Sequence, residues 1–363
     1  MKRLMILLSL FCAAGLLFAA AEPVVELQLN HIGSLADSGT EITTTYGMQS
    51  AASISLKSPN TGNVRGDVAF TLAYPETPDL LTIDRAYLRA RFPKFRLTMG
   101  KTRTGWGDGV LFNAADLLFG STGTAGVDLS AAELRSDTRW LTGVNIPLGP
   151  FRFIETLVIA PENFEPKDTE AGIRLYTTID SVKLELGGAY RADNRDDTNT
   201  GKVFTPYAAL QGHFGVDWYA ASSVNIAYPA DQILEELRDS WIISAGAYHM
   251  ITVGYQGMLT ARLEALVHPF GNWQQSDDDL SYGLYLYPEV VYTPDDTWSF
   301  LLRSIISPID ASAQITAGAT WQVMQGFTLH GYATIHAGEA GDTFVWQSTQ
   351  SSASLILGAS WIY

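Results

Sequence analysis

Apolar and polar residues alternate with a period of two along the last third of the chain. In the segment 313–323, alanine, isoleucine, tryptophan and valine occupy every odd position, whereas glutamine, threonine and glycine occupy the positions between them. The segments 327–337 and 352–363 repeat this pattern. Because successive residues of a β-strand point to opposite sides of the sheet, the alternation predicts strands with one apolar and one polar face.

The lengths of these segments and of their connections indicate a membrane barrel. The predicted strands have about ten residues or more, which is the length of a tilted transmembrane strand. Short turns such as Pro93-Lys94 and Met324-Gln325-Gly326 alternate with longer polar stretches. The longer stretches are 191–203, 228–239, 269–279 and 338–351. We expect an all-β fold: a single transmembrane antiparallel β-barrel of about 18 strands, with 16 as the alternative, and with short periplasmic turns and longer external loops. The sixth strand is predicted to cover 127–146.

Aromatic residues gather at the predicted strand ends, where the girdles of a transmembrane barrel meet the two membrane interfaces. The residues of this type are Tyr282, Tyr292, Trp298, Trp321, Trp361 and Tyr363. The uncharged stretch 241–261 also suggests a membrane helix, but the glycines at 246, 254 and 257 interrupt it. Two strands that meet at 253–256 explain this stretch better. A short helix is predicted over 229–237, in an external loop.

The first 21 residues have the pattern of a secretory signal peptide. Lys2 and Arg3 precede an almost wholly apolar stretch, and three alanines follow it. We therefore predict cleavage after Ala21, with the barrel formed by residues 22–363. The single cysteine, Cys12, lies within this segment, so the mature chain has no thiol for a disulfide or a metal site.

Composition narrows the class of partner. Without its first 21 residues the chain has 21 basic residues against 38 acidic ones, a formal net charge of −17. Nucleic acid is an unsuitable partner for so acidic a chain. Charged residues make up only 17% of the sequence, which is low for a soluble surface, and aromatic residues make up 11%.

The C-terminal strand, with alternate apolar residues that end in Trp361 and Tyr363, resembles the assembly signal of bacterial outer-membrane proteins. The family pattern more often ends in phenylalanine. The resemblance implies insertion into the outer membrane by the barrel-assembly machinery, and it implies outer-membrane lipid as a partner. A homo-oligomer is left open. A second stretch, Trp106-Gly107-Asp108-Gly109 followed by the segment 113–119, is similar to a segment of several porin-like barrel families.

The longest predicted connection, 102–126, contains large apolar residues at Val110, Leu111, Phe112, Leu117, Leu118 and Phe119. Such residues are poorly placed in a loop surrounded by water, so they predict a loop that folds into the barrel. General porins similarly narrow their channel with a long inward loop after the fifth strand. The resemblance therefore implies a constriction in which Asp108 and Asp116 face the arginines of the predicted fourth and fifth strands. The alternative is an ordinary wall segment with an external hairpin.

A basic constellation follows one face of the predicted fourth strand and the start of the fifth. Arg85, Tyr87, Arg89 and Arg91 alternate with apolar residues, and Arg96 lies on the next strand. An arginine that faced lipid at the middle of the membrane would cost about 2–4 kcal/mol. These side chains are therefore predicted to line the pore, or to brace the wall by pairing with carboxylates; both interpretations stay open.

The remaining charged residues and histidines do not point to a particular reaction or ligand. Arg262 and Glu264 are further predicted pore-lining residues, as expected of a water-filled or salt-bridged interior. The strand face that carries Glu133, Arg135, Asp137 and Arg139 is interpreted in the same way. The six histidines are scattered and show no close metal-binding spacing. We therefore expect no catalytic residue, no metal site and no cofactor.

The sequence thus predicts a porin-like outer-membrane channel for the passive diffusion of small hydrophilic solutes or ions. One alternative is a non-conducting barrel that acts through its external loops as an adhesin, receptor or scaffold. Another is an outer-membrane lipid hydrolase. The solute, the ion selectivity and the oligomeric state do not follow from the sequence.

Overall fold

A computed structural model shows a closed antiparallel β-barrel. It describes residues 22–37, 41–59, 62–75, 80–125, 127–161, 165–196, 199–228, 233–276, 281–345 and 351–363. The predicted signal peptide lies outside these residues. The strands are β1 (Glu22–Asp37), β2 (Ile42–Lys57), β3 (Val64–Tyr74), β4 (Leu81–Arg91), β5 (Arg96–Thr102), β6 (Arg139–Gly149), β7 (Arg152–Ile159), β8 (Glu170–Ile179), β9 (Val182–Asp196), β10 (Asn199–His213), β11 (Asp217–Ser223), β12 (Ile226–Tyr228), β13 (Ile242–Val253), β14 (Gly257–Val267), β15 (Leu284–Thr293), β16 (Trp298–Ser307), β17 (Ser312–Met324), β18 (Phe327–Ala337) and β19 (Ser351–Ile362).

Each strand pairs with its neighbours in sequence, and the last strand pairs with the first. Leu27 of β1 lies opposite Trp361 of β19, which closes the sheet. Both β11 and β12 pair with β10, so these two short segments together occupy the position of one strand in the wall. The predicted barrel of about 18 strands is therefore confirmed. The described part of the chain also contains a 3-10 turn, Pro166–Asp168, and one helix, α1 (Ile233–Asp239).

The period-two pattern separates a lipid-facing outer surface from the lumen. On β17 the outward Ile315 is exposed, whereas the inward Thr316 beside it is fully buried. Leucines of β14, β16 and β19 face outward with about half of their surface exposed, which suits hydrocarbon. No helix among the described residues is long and apolar enough to cross a membrane.

The short turns lie at one end of the barrel together with the start of β1 and the end of β19, as predicted for the periplasmic side. The backbone N–H of Val25 donates to the carbonyl oxygen of Tyr363 over 2.9 Å. Stacked aromatic residues mark this end: the ring centroids of Trp298 and Trp321 are 5.3 Å apart. Tyr282, in contrast, is not part of a girdle, because it lies buried beneath an external loop.

Two predicted boundaries were wrong. The sixth strand begins at Arg139, so 127–138 belongs to the preceding loop. The side chain of Arg135 there bonds to loop carbonyl oxygens, and the alternating charges of this stretch do not form a strand face. The predicted loop 191–203 is mostly strand, since β9 ends at Asp196 and β10 begins at Asn199. The helix predicted over 229–237 is α1 in its described part.

Candidate functional site: a loop folded into the lumen

The connection between β5 and β6, residues 103–138, lies inside the barrel; we call it the lumen loop. Most of its large apolar residues are buried, whereas Val110, which was also predicted to be buried, is 40% exposed. The buried set is Trp106, Leu111, Phe112, Leu117, Leu118, Phe119, Leu129 and Leu134. They form two apolar clusters with inward side chains, one against β6–β11 and one against β14–β16. This burial explains why so apolar a segment connects two strands.

A carboxylate of the wall holds the central turn of the lumen loop. Glu264 of β14 accepts three successive backbone N–H groups, from Val110 at 3.0 Å and from Leu111 and Phe112 at 2.9 Å. The hydroxyl of Tyr219 on β11 donates to the carbonyl oxygen of Phe112. Only 1% of the surface of Glu264 is exposed. A buried carboxylate needs such donors, because they replace the water it has lost.

An arginine between two carboxylates holds the start of the lumen loop. Arg174 of β8 donates to Glu155 of β7 over 2.9 Å and to Glu185 of β9 over 3.1 Å. It also donates to the carbonyl oxygen of Gly105. The indole N–H of Trp106 donates to Glu155. The wall charges are therefore paired with one another and bonded to the loop at the same time.

The packing of Trp106 requires a small residue in the wall. Its ring stacks on Tyr207 of β10 with 5.5 Å between the centroids. It also covers Gly172 of β8, where an added Cβ would lie 2.3 Å from the indole. A side chain at position 172 would therefore displace the indole from the wall.

The second half of the lumen loop crosses to the opposite wall and returns. Arg303 of β16 donates to the carbonyl oxygens of Leu129 and Ala131. The hydroxyl of Thr138 then donates to the carbonyl oxygen of Asp84 on β4. The loop thus contacts three separated parts of the wall.

The two predicted acids of the loop do not pair with the arginines of β4 and β5. Asp116 is buried and pairs with Arg103, at the start of the same loop, and with Ser121. Asp108 lies in the electrostatic field of Lys183, Glu185 and Arg174, on β8 and β9. The expected charge pairing was wrong because the loop binds the wall mainly through its backbone, and the wall supplies most of the charged groups.

The predicted arginines share the lumen face of β4 and β5. Tyr87 lies between Arg85 and Arg89, and the guanidinium of Arg89 lies 5.5 Å from its ring centroid. Arg85 forms a long ion pair of 3.6 Å with Asp67 of β3. The other three arginines of this set are exposed to solvent: Arg89, Arg91 and Arg96. Among the described residues, no carboxylate lies within ion-pair distance of any of them.

The register places like charges opposite one another at the periplasmic end of this wall. Arg89 lies opposite Arg65 of β3, and Arg91 lies opposite Arg96. Like charges directly opposite each other destabilise a sheet. We call these four residues the arginine strip.

The remaining predicted pair lies on β14. Arg262 is 3.9 Å from Glu264 and 3.8 Å from Glu289 of β15, and Glu289 is also 3.8 Å from Arg303. The sequence analysis missed Glu155, Arg174 and Arg303 as loop anchors. Their only signal in the sequence is a charged residue at an inward position of a strand. Within the described ranges, no group of three metal-binding side chains is close enough to hold an ion.

Comparison with known proteins supports the fold through structure alone. No protein-family model matches the sequence, and no curated protein matches it either. Solved outer-membrane porins match nearly the whole chain. OccK3 (OpdO) of Pseudomonas aeruginosa has a TM-score of 0.58 at 10% identity, with 96% of each chain covered. OccK8 (OprE) of the same organism has 0.57 at 7%, with 96% of this chain and 99% of that chain covered. OccAB4 of Acinetobacter baumannii has 0.53 at 12%, with 94% and 98% covered. The chain thus has the fold of a porin-like outer-membrane β-barrel, and its apolar outer face between aromatic girdles is suited to that membrane.

Proposed function

We propose that this protein is a channel for the passive diffusion of small hydrophilic solutes, narrowed by the lumen loop. The observation that carries the proposal is that the loop covers only part of the inner wall. On β2–β5 the inward side chains of Thr45, Arg65, Arg89, Arg91 and Arg96 remain exposed to solvent. A polar, water-exposed face inside a barrel is what a diffusion pathway requires.

The charge of this exposed wall favours anions. The arginine strip supplies four positive charges, and no ion pair to a described residue neutralises them. Fixed charge in a narrow pore raises the local concentration of ions of opposite sign. One of the similar structures, OpdK of Pseudomonas aeruginosa, was solved with vanillate. We therefore include small organic anions among the expected solutes.

Conductance in planar bilayers tests the proposal. The wild-type barrel should give discrete single-channel steps, and deletion of 109–119 should enlarge them because the deleted segment occupies the lumen. A folded barrel, shown by a different gel mobility before and after boiling, is the necessary control. Absence of steps in a folded wild-type protein would favour a non-conducting surface barrel instead. Unchanged steps after the deletion would refute the constriction and leave the channel standing.

Reversal potentials in a salt gradient test the role of charge. Replacing Arg85 and Arg89 by glutamine should move the selectivity toward cations, because the lumen loses fixed positive charge. Lys94→Gln, in a periplasmic turn, is the matched control for a lost positive charge outside the lumen. An equal shift in the control would show that the arginines have no special role.

A further inference from the structure

A small pocket lies inside the barrel, beside the second half of the lumen loop and away from the arginine strip. Its volume is about 200 Å³. Ala131 and Ala132 of the loop form one side, and inward side chains of β15–β18 form the rest. Ala132 is exposed, and Ser299 and Thr320 are half-buried, so the pocket is open to the lumen. Pockets for drug-sized ligands have about 300–1,000 Å³, so this pocket suits a smaller solute.

The strand register arranges the floor of the pocket in three rows. Inward residues two apart along a strand form successive rows across β15–β17. An apolar row lies between a charged row and a row of hydroxyl groups. In order, the rows are Glu289 and Arg303, then Val291, Leu301 and Gly318, then Ser299 and Thr320. The floor is therefore apolar in the middle and polar at two edges.

An aromatic ring completes the apolar row. Tyr332 of β18 lies opposite Gly318 in the ladder. A Cβ added at position 318 would lie 2.2 Å from this ring, so the ring covers the glycine. The ring face and Leu301 together present a flat apolar surface to the pocket.

The charged groups at the pocket compensate one another. Glu289 is 3.8 Å from Arg262 and from Arg303, and Arg262 is 3.9 Å from Glu264. The formal charges of these four residues sum to zero. The carboxylate of Glu289 repels an anion, and the two guanidinium groups beside it repel a cation. The pocket therefore favours a neutral solute.

Several polar groups of the pocket are left for such a solute. Oε2 of Glu289 accepts from the hydroxyl of Tyr287 over 2.5 Å, whereas Oε1 accepts no hydrogen bond from any described residue. The hydroxyl groups of Ser299, Thr320 and Tyr332 likewise form no hydrogen bond within the described part of the chain. A hydroxyl group both donates and accepts, and a carboxylate accepts. Hydroxyl groups of a solute match both kinds of partner.

We propose that this pocket binds one neutral monosaccharide. The C–H face of the sugar ring would lie on Leu301 and Tyr332, and its hydroxyl groups would bond to Glu289 and to the hydroxyl row. A purely apolar solute is a poorer occupant, because it would cover polar groups without bonding to them. The inference rests on the proposed function, since the sugar reaches the pocket through the lumen.

Saturation-transfer NMR of the protein in a detergent without a sugar headgroup tests this assignment, with D-glucose as the probe. Wild type should give a saturable signal at millimolar glucose, and D-glucuronate and D-glucosamine should bind more weakly because each carries a charge. Ser299→Phe fills the pocket and should abolish the signal. Thr320→Val keeps the volume but removes a hydroxyl group, and it should weaken binding about two- to tenfold.

Two control variants change the lumen face elsewhere. Ser55→Phe places the same bulk on β2, and Thr178→Val removes a hydroxyl group on β8; both should bind glucose like wild type. Every variant must keep the gel mobility shift of a folded barrel. An undiminished signal in Ser299→Phe would overturn the site, and wild-type affinity in Thr320→Val would overturn the role of the hydroxyl row.

The outcomes separate this inference from the channel proposal. Tighter binding of glucuronate or glucosamine than of glucose would overturn the neutral class of solute. Conductance steps without glucose binding in wild type would overturn the sugar site and leave the channel standing. Glucose binding that is lost in Ser299→Phe, in a barrel without conductance steps, would refute the channel and leave the sugar site standing.

Discussion

The hydrogen bonds of Glu264 predict how firmly the lumen loop is held. Glu264→Gln keeps the size of the side chain but replaces one carboxylate oxygen by an NH₂ group. The two oxygens accept N–H groups from Val110, Leu111 and Phe112 at 2.9–3.0 Å. In the variant at least one of these buried donors would face another donor.

The size of the effect follows from the energy of a hydrogen bond to a charged group. Such a bond contributes about 1.5–3 kcal/mol. Losing one of them should raise the population of the detached loop roughly 10- to 150-fold, since about 1.4 kcal/mol corresponds to a factor of ten. The substitution should change the free energy of loop detachment and not that of the barrel wall, because the side chain of Glu264 takes no part in the backbone hydrogen bonds of β14.

Single-channel recording is the assay for this variant. Glu264→Gln should show larger or noisier open-channel current than wild type, because a detached loop no longer narrows the lumen at a fixed width. Glu26→Gln is the matched control, since Glu26 is an inward carboxylate of β1 with no hydrogen bond to the loop. If folded Glu264→Gln barrels gave the same distribution of open-channel currents as wild type, the proposal that Glu264 holds the lumen loop in place would be refuted.

Three further predictions rest on separate contacts. Arg89→Gln should lower anion selectivity and slightly raise the thermal unfolding temperature, by removing a like-charge pair worth about 0.2–1 kcal/mol; a lower unfolding temperature would contradict the like-charge argument. Burial alone would raise the pKa of Asp310 in an external turn, but hydrogen bonds, above all from Thr343, outweigh it and hold that pKa below its ordinary value of 3.8. These bonds should therefore stabilise the contact between the two external loops above about pH 4, and this stabilisation should be lost as the pH falls through the lower pKa of the folded state. Faster hydrogen exchange of the backbone amide of Thr343 at acidic pH should show the loss, and Asp310→Asn should abolish the pH dependence. Gly172→Val should displace Trp106 from the wall and increase conductance, whereas an unchanged conductance would show that the indole does not set the width of the lumen.

The sequence alone predicted most of the strands and their inner and outer faces, and it offered an inward course for the segment 102–126 beside the alternative of an external hairpin. These properties follow from local patterns: a period of two for a strand, and an apolar segment that must be buried somewhere. The turn at 254–256 and the tryptophans of the periplasmic girdle followed in the same way. Local patterns also misled, as at 127–138, where alternating charges resembled a strand face but belong to a loop held by hydrogen bonds.

Only the tertiary structure decided which groups hold the lumen loop. Glu264 and Leu111 are 153 residues apart in the chain, and Arg303 and Leu129 are 174 apart. No periodicity relates such positions, because the closure and register of the whole barrel bring them together. The same holds for the like-charge pairs of the arginine strip, which exist only because the register of β3–β5 sets arginines opposite one another. A strand is a local property of the chain. Which charged side chains face one another on neighbouring strands, and which of them contact the lumen loop, is decided by the register and closure of the whole sheet.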